Sequence, residues 1–150
     1  MISYEGLFFE GESLELIHSL DINKLEKAND EIHCTFRYHP SKNEIFNELV
    51  GKTFEVTLTS YGSDSNNSGF LVSLPDELKP YYINYESDQK TLRIPHITAS
   101  ISVGAEPSET RNLDFKPLPI THKIKGRFGF YIKDNRGKYI SYDKYEFNKK

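Results

Sequence analysis

Along KTFEVTLTSYG (residues 52–62) the apolar residues Phe54, Val56 and Leu58 alternate with polar ones. A period of two marks a strand with one buried face. The polar run SDSNNSG (63–69) supplies turn chemistry, and FLVSLP (70–75) returns as the hairpin partner. Further strands are expected over YEGLFF (4–9), EIHCTFRY (31–38) and TLRIPHITASISV (91–103), and over HKIKGRFGFYIKD and KYISYDKYEF around the turn DNRG (134–137). Pro40 ends the second of these, and Pro95 marks an edge, a bulge or a strand start just before His96.

Helical spacing is weaker. Leu14, Leu16, Ile17 and Leu20 suggest a short helix over 14–20 with Ser13 as its N-cap. SKNEIFNELV (41–50) reads as a second, with Ser41 at its start and Gly51 just past its end. DELKPYYINYESDQ is an irregular or partly helical crossing, and GAEPSETRNLDFKPLP (104–119) a long loop. About seven strands and two or three short helices in this order give an α+β chain with mainly antiparallel pairing, in one domain spanning 1–150.

A net charge of −3 offers no general pull on polyanions, so any phosphate-binding surface must be local. Cys34 is the single cysteine, which rules out an intrachain disulfide and fits a reducing cytoplasm. The start MISYEGLFFEGES lacks the basic and apolar regions of a signal peptide, and no apolar run is long enough to span a bilayer. The histidines and the lone cysteine show no metal-ligand spacing, and no Gly-rich nucleotide motif occurs.

Two of the five histidines sit in matching frames, His33-Cys34-Thr35 and His96-Ile97-Thr98, 63 residues apart. Alternation puts His33, Thr35 and Arg37 on one face of the first strand, opposite Cys34 and Phe36. It puts His96, Thr98 and Ser100 on one face of the second, opposite Ile97 and Ala99. Two imidazoles facing across a groove can serve a phosphodiester, one removing a proton and the other giving one. The hydroxyls and the Arg37 guanidinium can hold the phosphate oxygens. Two strand histidines that merely precede β-forming threonines are the plainer reading of the same pattern.

Tyr61 and the loop after it are the best candidates for stacking a base. Cys34 faces away from His33, as a buried apolar residue rather than a nucleophile. KGRFGFYIK (125–133) sets Lys125, Arg127 and Lys133 among aromatics, where they can touch a polyanion or simply protect an exposed strand.

HCTFRY and HITASI together resemble the two signature motifs of the 2H phosphoesterase superfamily, the LigT-like group. The first follows that group's His-hydrophobic-Thr-Leu-Arg-aromatic pattern, Arg37 included. The resemblance covers roughly residues 4–103 in element order and is residue-level only in the two motifs. It implies a bilobal fold, two mainly antiparallel sheets around a central cleft with short helices outside. It implies His33 and His96 as acid and base, Thr35 and Thr98, with Arg37 and Ser100, at the phosphate, and no metal or cofactor. The substrate would be a nucleotide or RNA end with a 2′,3′-cyclic phosphate or a 2′–5′ linkage. The stretch 104–118 departs from the helix many bacterial members have there, which suggests a specialised, eukaryotic-like or phage-like branch. A phage or viral phosphodiesterase that destroys cyclic oligonucleotide immune signals is one alternative, and a non-catalytic nucleotide- or protein-binding module of the same fold another.

Overall fold

The computed structural model describes residues 2–29, 32–40, 46–82 and 94–144. Its strands are β1 (Ile2–Phe8), β2 (Lys27–Ala28), β3 (His33–Tyr38), β4 (Thr53–Ser63), β5 (Asn67–Ser73), β6 (His96–Ile101), β7 (Lys116–Asp134) and β8 (Gly137–Ser141). One α-helix, α1 (Gly11–Leu20), and 3₁₀ turns at Lys79–Tyr81 and Pro107–Asn112 complete the described elements. The chain is α+β with antiparallel pairing throughout the described strands.

The strands join in one curled sheet of order β2-β6-β5-β4-β7-β1-β3, with β8 on β7. Alternation builds its buried face. Val56, Leu58, Phe70, Val72, Ile97, Ala99, Ile124, Phe128 and Phe130 all point into one core, joined by Ile17 of α1 and by Leu7, Cys34 and Phe36. At about 25 cal/mol per Å² of apolar area removed from water, this shared face is the main stabilising term.

Three expectations about elements are corrected. α1 begins at Gly11, with Glu10 at the N-cap; the Ser13 hydroxyl instead accepts the Lys125 N–H at 3.0 Å. The loop expected over 104–119 contains the Pro107–Asn112 turn, and β7 already starts at Lys116, because the alternating face needed to pair with β4 extends to Tyr61↔Lys116. The polar hairpin turn is shorter than 63–69, since β5 begins at Asn67, with Asp64 accepting the Asn66 and Asn67 N–H groups. Residues 41–45 of the expected second helix lie outside the described residues, and 47–51 form turns ending at Gly51, whose φ is +86°. Pro95 sits just before β6, and Pro40 follows the end of β3 at His39, whose φ is +45°.

Candidate functional site

β3 ends the sheet path on one side; β6, flanked only by the two-residue β2, lies at the other. Curling brings them together, and the backbone N–H of His96 reaches the buried Cys34 sulfur. The two His-x-Thr frames therefore meet although they stand 63 residues apart. Burial pushes the Cys34 thiol up to about 12, partly offset by that N–H, so its sulfur is a packed core atom and no nucleophile.

The neighbouring strands repeat each other around the frames. On β1, Phe8 pairs with His33, Leu7 with Cys34, Gly6 with Thr35, and Glu5 with Arg37. On β5, Leu71 pairs with His96, Phe70 with Ile97, Gly69 with Thr98, and Ser68 with Ser100. Each ladder shifts register immediately after its glycine, leaving Phe36 and Ala99 without partners. A Cβ on Gly6 would lie 2.1 Å from the Cys34 carbonyl oxygen, and one on Gly69 would lie 2.3 Å from that of Ile97. Each bulge thus requires glycine opposite its threonine.

The bulges correct the simple alternation. Arg37 does not continue the face of His33: it is 8% exposed, stands opposite the buried Glu5, and holds its guanidinium 4.9 Å from the Phe46 ring centre. Glu5 also accepts the Phe46 N–H at 3.1 Å. Ser100 likewise leaves the face of Thr98. Its hydroxyl is 2.6 Å from Asp21 and 2.6 Å from Ser68, and accepts the Leu25 N–H at 3.0 Å. Asp21, also buried, takes the Tyr61 phenol on its other oxygen.

His33 and Thr35 stay on the face opposite the core, both half-buried. The glycine at position 6 leaves room for Tyr4 to lean across: its ring stacks on His33 with centres 4.4 Å apart, and its hydroxyl lies 3.3 Å from His33 Nδ1. Tyr131 backs Tyr4 at 5.1 Å. His96 Nδ1 lies 2.9 Å from the Ile94 carbonyl. A carbonyl only accepts, so neutral His96 carries its proton on Nδ1 and its basic nitrogen is Nε2. Ile94, Pro95 and Leu71 also line a cavity of about 480 Å³ with Thr59, Lys79 and Tyr82. Thr98 differs from Thr35. Its hydroxyl lies 2.7 Å from Thr110 Oγ1 and 3.1 Å from the Pro107 carbonyl, and Asn67 donates to Thr110 and to the Glu106 carbonyl.

Tyr61 packs on Phe70 at 4.9 Å, and burial together with its bond to Asp21 raises its hydroxyl to about 12. Its phenol thus belongs to the buried network. Tyr4, Gly6 and Gly69 were not singled out from the sequence. The signal for the two glycines is the likeness of EGLF (5–8) and SGFL (68–71), which gains meaning once the strand pairing is known; nothing in the sequence marks Tyr4. In comparison with known proteins, no family model matches the chain and no curated relative is found.

Proposed function

We propose that the chain is a metal-independent phosphoesterase of the 2H type, cleaving a nucleotide or RNA phosphodiester that involves a 2′ oxygen. The observation that carries this reading is the pair of bulged Gly/His-x-Thr ladders, repeated in β1–β3 and β5–β6 and brought together by the curl of the sheet. The expected two sheets are one continuous sheet in which β7 pairs with β4, so the bilobal arrangement belongs to this proposal only as two halves, β3-β1-β7 and β6-β5-β4, of that sheet. A reducing cytoplasm suits the lone buried cysteine.

In hydrolysis of a 2′,3′-cyclic phosphate, His96 Nε2 takes a proton from water as the water oxygen bonds to phosphorus. The bond from phosphorus to the 2′ or 3′ oxygen breaks, and protonated His33 gives that oxygen its proton. Thr35 and Thr98 hold the non-bridging oxygens, Thr98 exchanging its bond to Thr110 for one to the phosphate. Tyr4 holds the His33 ring in place; its hydroxyl can donate to or accept from Nδ1 and so suits both charge states. Arg37 and Ser100 brace the strands from behind. Base stacking would use the aromatic side of His33, the cavity beside His96, or Tyr61, whose phenol is tied to Asp21 while the residue lines a cavity with Ile22, Pro117 and Leu118.

The test is incubation in EDTA with 2′,3′-cyclic mononucleotides, 2′–5′ oligoadenylate, cyclic di- and trinucleotides and a cyclic-phosphate-ended RNA, read by mass spectrometry. One class should be cleaved, with losses of about 10²–10⁴-fold in both His33→Ala and His96→Ala. Wild-type cleavage that survives both substitutions would sink the mechanism.

A further inference from the structure

The outward face of β7 carries a row that this chemistry leaves unused. Lys123, Lys125 and Arg127 are exposed and alternate with buried Ile124, Gly126 and Phe128. Successive outward positions on a strand lie about 6.8 Å apart, close to the spacing of neighbouring phosphates in an extended single strand. Arg127 pairs with Phe8, and Phe8 with His33, so all three share one face and one cross-strand row. Phe8 itself is buried, with the Tyr4 and Tyr142 rings against it, so the basic row leads toward His33 past those rings.

The surroundings fit an extended polyanion. On β4, Thr57, Glu55 and Thr53 stand beside Lys123, Lys125 and Arg127, two of the three being uncharged. Glu55 approaches Lys123 only to 3.9 Å with both side chains largely exposed, an ion pair that a phosphate readily displaces. Arg127 is held outward by the Gly51 carbonyl at 3.1 Å and by the Tyr142 ring at 4.3 Å, so its charge is fixed beside an aromatic plane. The Tyr142 hydroxyl donates to Glu10. Lysines that only protect a sheet from aggregation need no such alignment with His33.

We propose that this face of β7 binds a single-stranded nucleic acid through its phosphates and delivers the strand's end past the Tyr142 and Tyr4 rings to His33. That delivery rests on the phosphoesterase reading; the strand binding does not. The preferred substrate is then an RNA end, and a free cyclic mononucleotide is turned over without help from the β7 row.

The experiment measures fluorescence anisotropy of a labelled 12-nucleotide single-stranded RNA ending in a 2′,3′-cyclic phosphate, with the corresponding duplex as a second probe. Wild type is compared with the double variant Lys123→Gln/Lys125→Gln over a salt series in EDTA. Both lysines are exposed, so the melting temperature should hold. Loss of two phosphate contacts should weaken single-strand binding about tenfold and lower the slope of log affinity on log salt by about 1.4. Turnover of 2′,3′-cyclic mononucleotide should stay at the wild-type rate. Equal affinity and slope in the two proteins, or tighter binding of the duplex, overturns the proposal. Strand binding with no cleavage of any probe keeps the β7 track and removes the phosphoesterase reading. Mononucleotide cleavage without strand binding does the reverse.

Discussion

Thr35 and Thr98 occupy matching places opposite Gly6 and Gly69, yet Thr98 is tied to the 107–112 turn through Thr110 and Pro107. Substitution by valine separates chemistry from packing. On the proposed mechanism, Thr35→Val at its half-buried position should lower kcat/KM while leaving the urea midpoint near that of wild type. Thr98→Val does that and also strands buried acceptors, at a cost of about 1–3 kcal/mol read by urea unfolding. A Thr98→Val protein as stable as wild type would mean that the 107–112 turn is held by other contacts. Cys34 gives a second residue-scale expectation. Its thiol ionises near 9.0 in the unfolded chain and at about 12 when folded, and Tyr61 shifts from 10.0 to about 12. Above pH 9 the unfolded state has lost protons that the folded state keeps, so stability falls as pH rises. Full stability should be present below pH 9 and decline toward pH 12, first through Cys34 and then, above pH 10, through Tyr61 as well. Urea midpoints at pH 7, 9 and 10.5 check the sign, and native Cys34 should resist thiol reagents at pH 8 until the chain unfolds.

At the scale of elements, the two bulged ladders are the devices that aim the site. Gly6→Ala and Gly69→Ala each force a methyl against a backbone carbonyl, and the Gly69 methyl also meets Thr110 Cγ2 at 2.5 Å. Each should cost about 1–3 kcal/mol, the range of overpacked sites, and on the proposed mechanism each should lower turnover by displacing its own threonine. Thermal unfolding and kinetics of the two variants, side by side, test whether the ladders are equivalent. The strands themselves were legible in the sequence, because alternation through Phe54, Val56 and Leu58, and through Ile124 and Phe128, reports the buried face directly. That His33 and Thr35 face away from Cys34, and His96 and Thr98 away from Ile97, was legible for the same reason. Arg37 and Ser100 were not: a bulge reverses the alternation after Phe36 and Ala99, and nothing local in HCTFRY or HITASI announces it. The cause lies across the ladder, in Gly6 and Gly69. Nor could the sequence show that Thr110 covers Thr98, since that contact depends on how the 107–112 turn folds back on β5 and β6.

At the scale of the molecule, the site is a seam between the far reaches of one sheet. No helix among the described residues is long and apolar enough to cross a membrane. β7 is the strand that fixes the seam, because it pairs with both β1 and β4 and so joins the half carrying His33 to the half carrying His96. This has a consequence for the life of the chain on the ribosome. Both histidines are made by residue 96, but the strand that unites their halves is not complete until residue 134. Pairings so distant along the chain close late in folding, after the loop-closure entropy between them has been met. A nascent chain released before residue 116 would hold both histidines without the strand that pairs with both β1 and β4. On the proposed reading, turnover would begin only with the completed sheet.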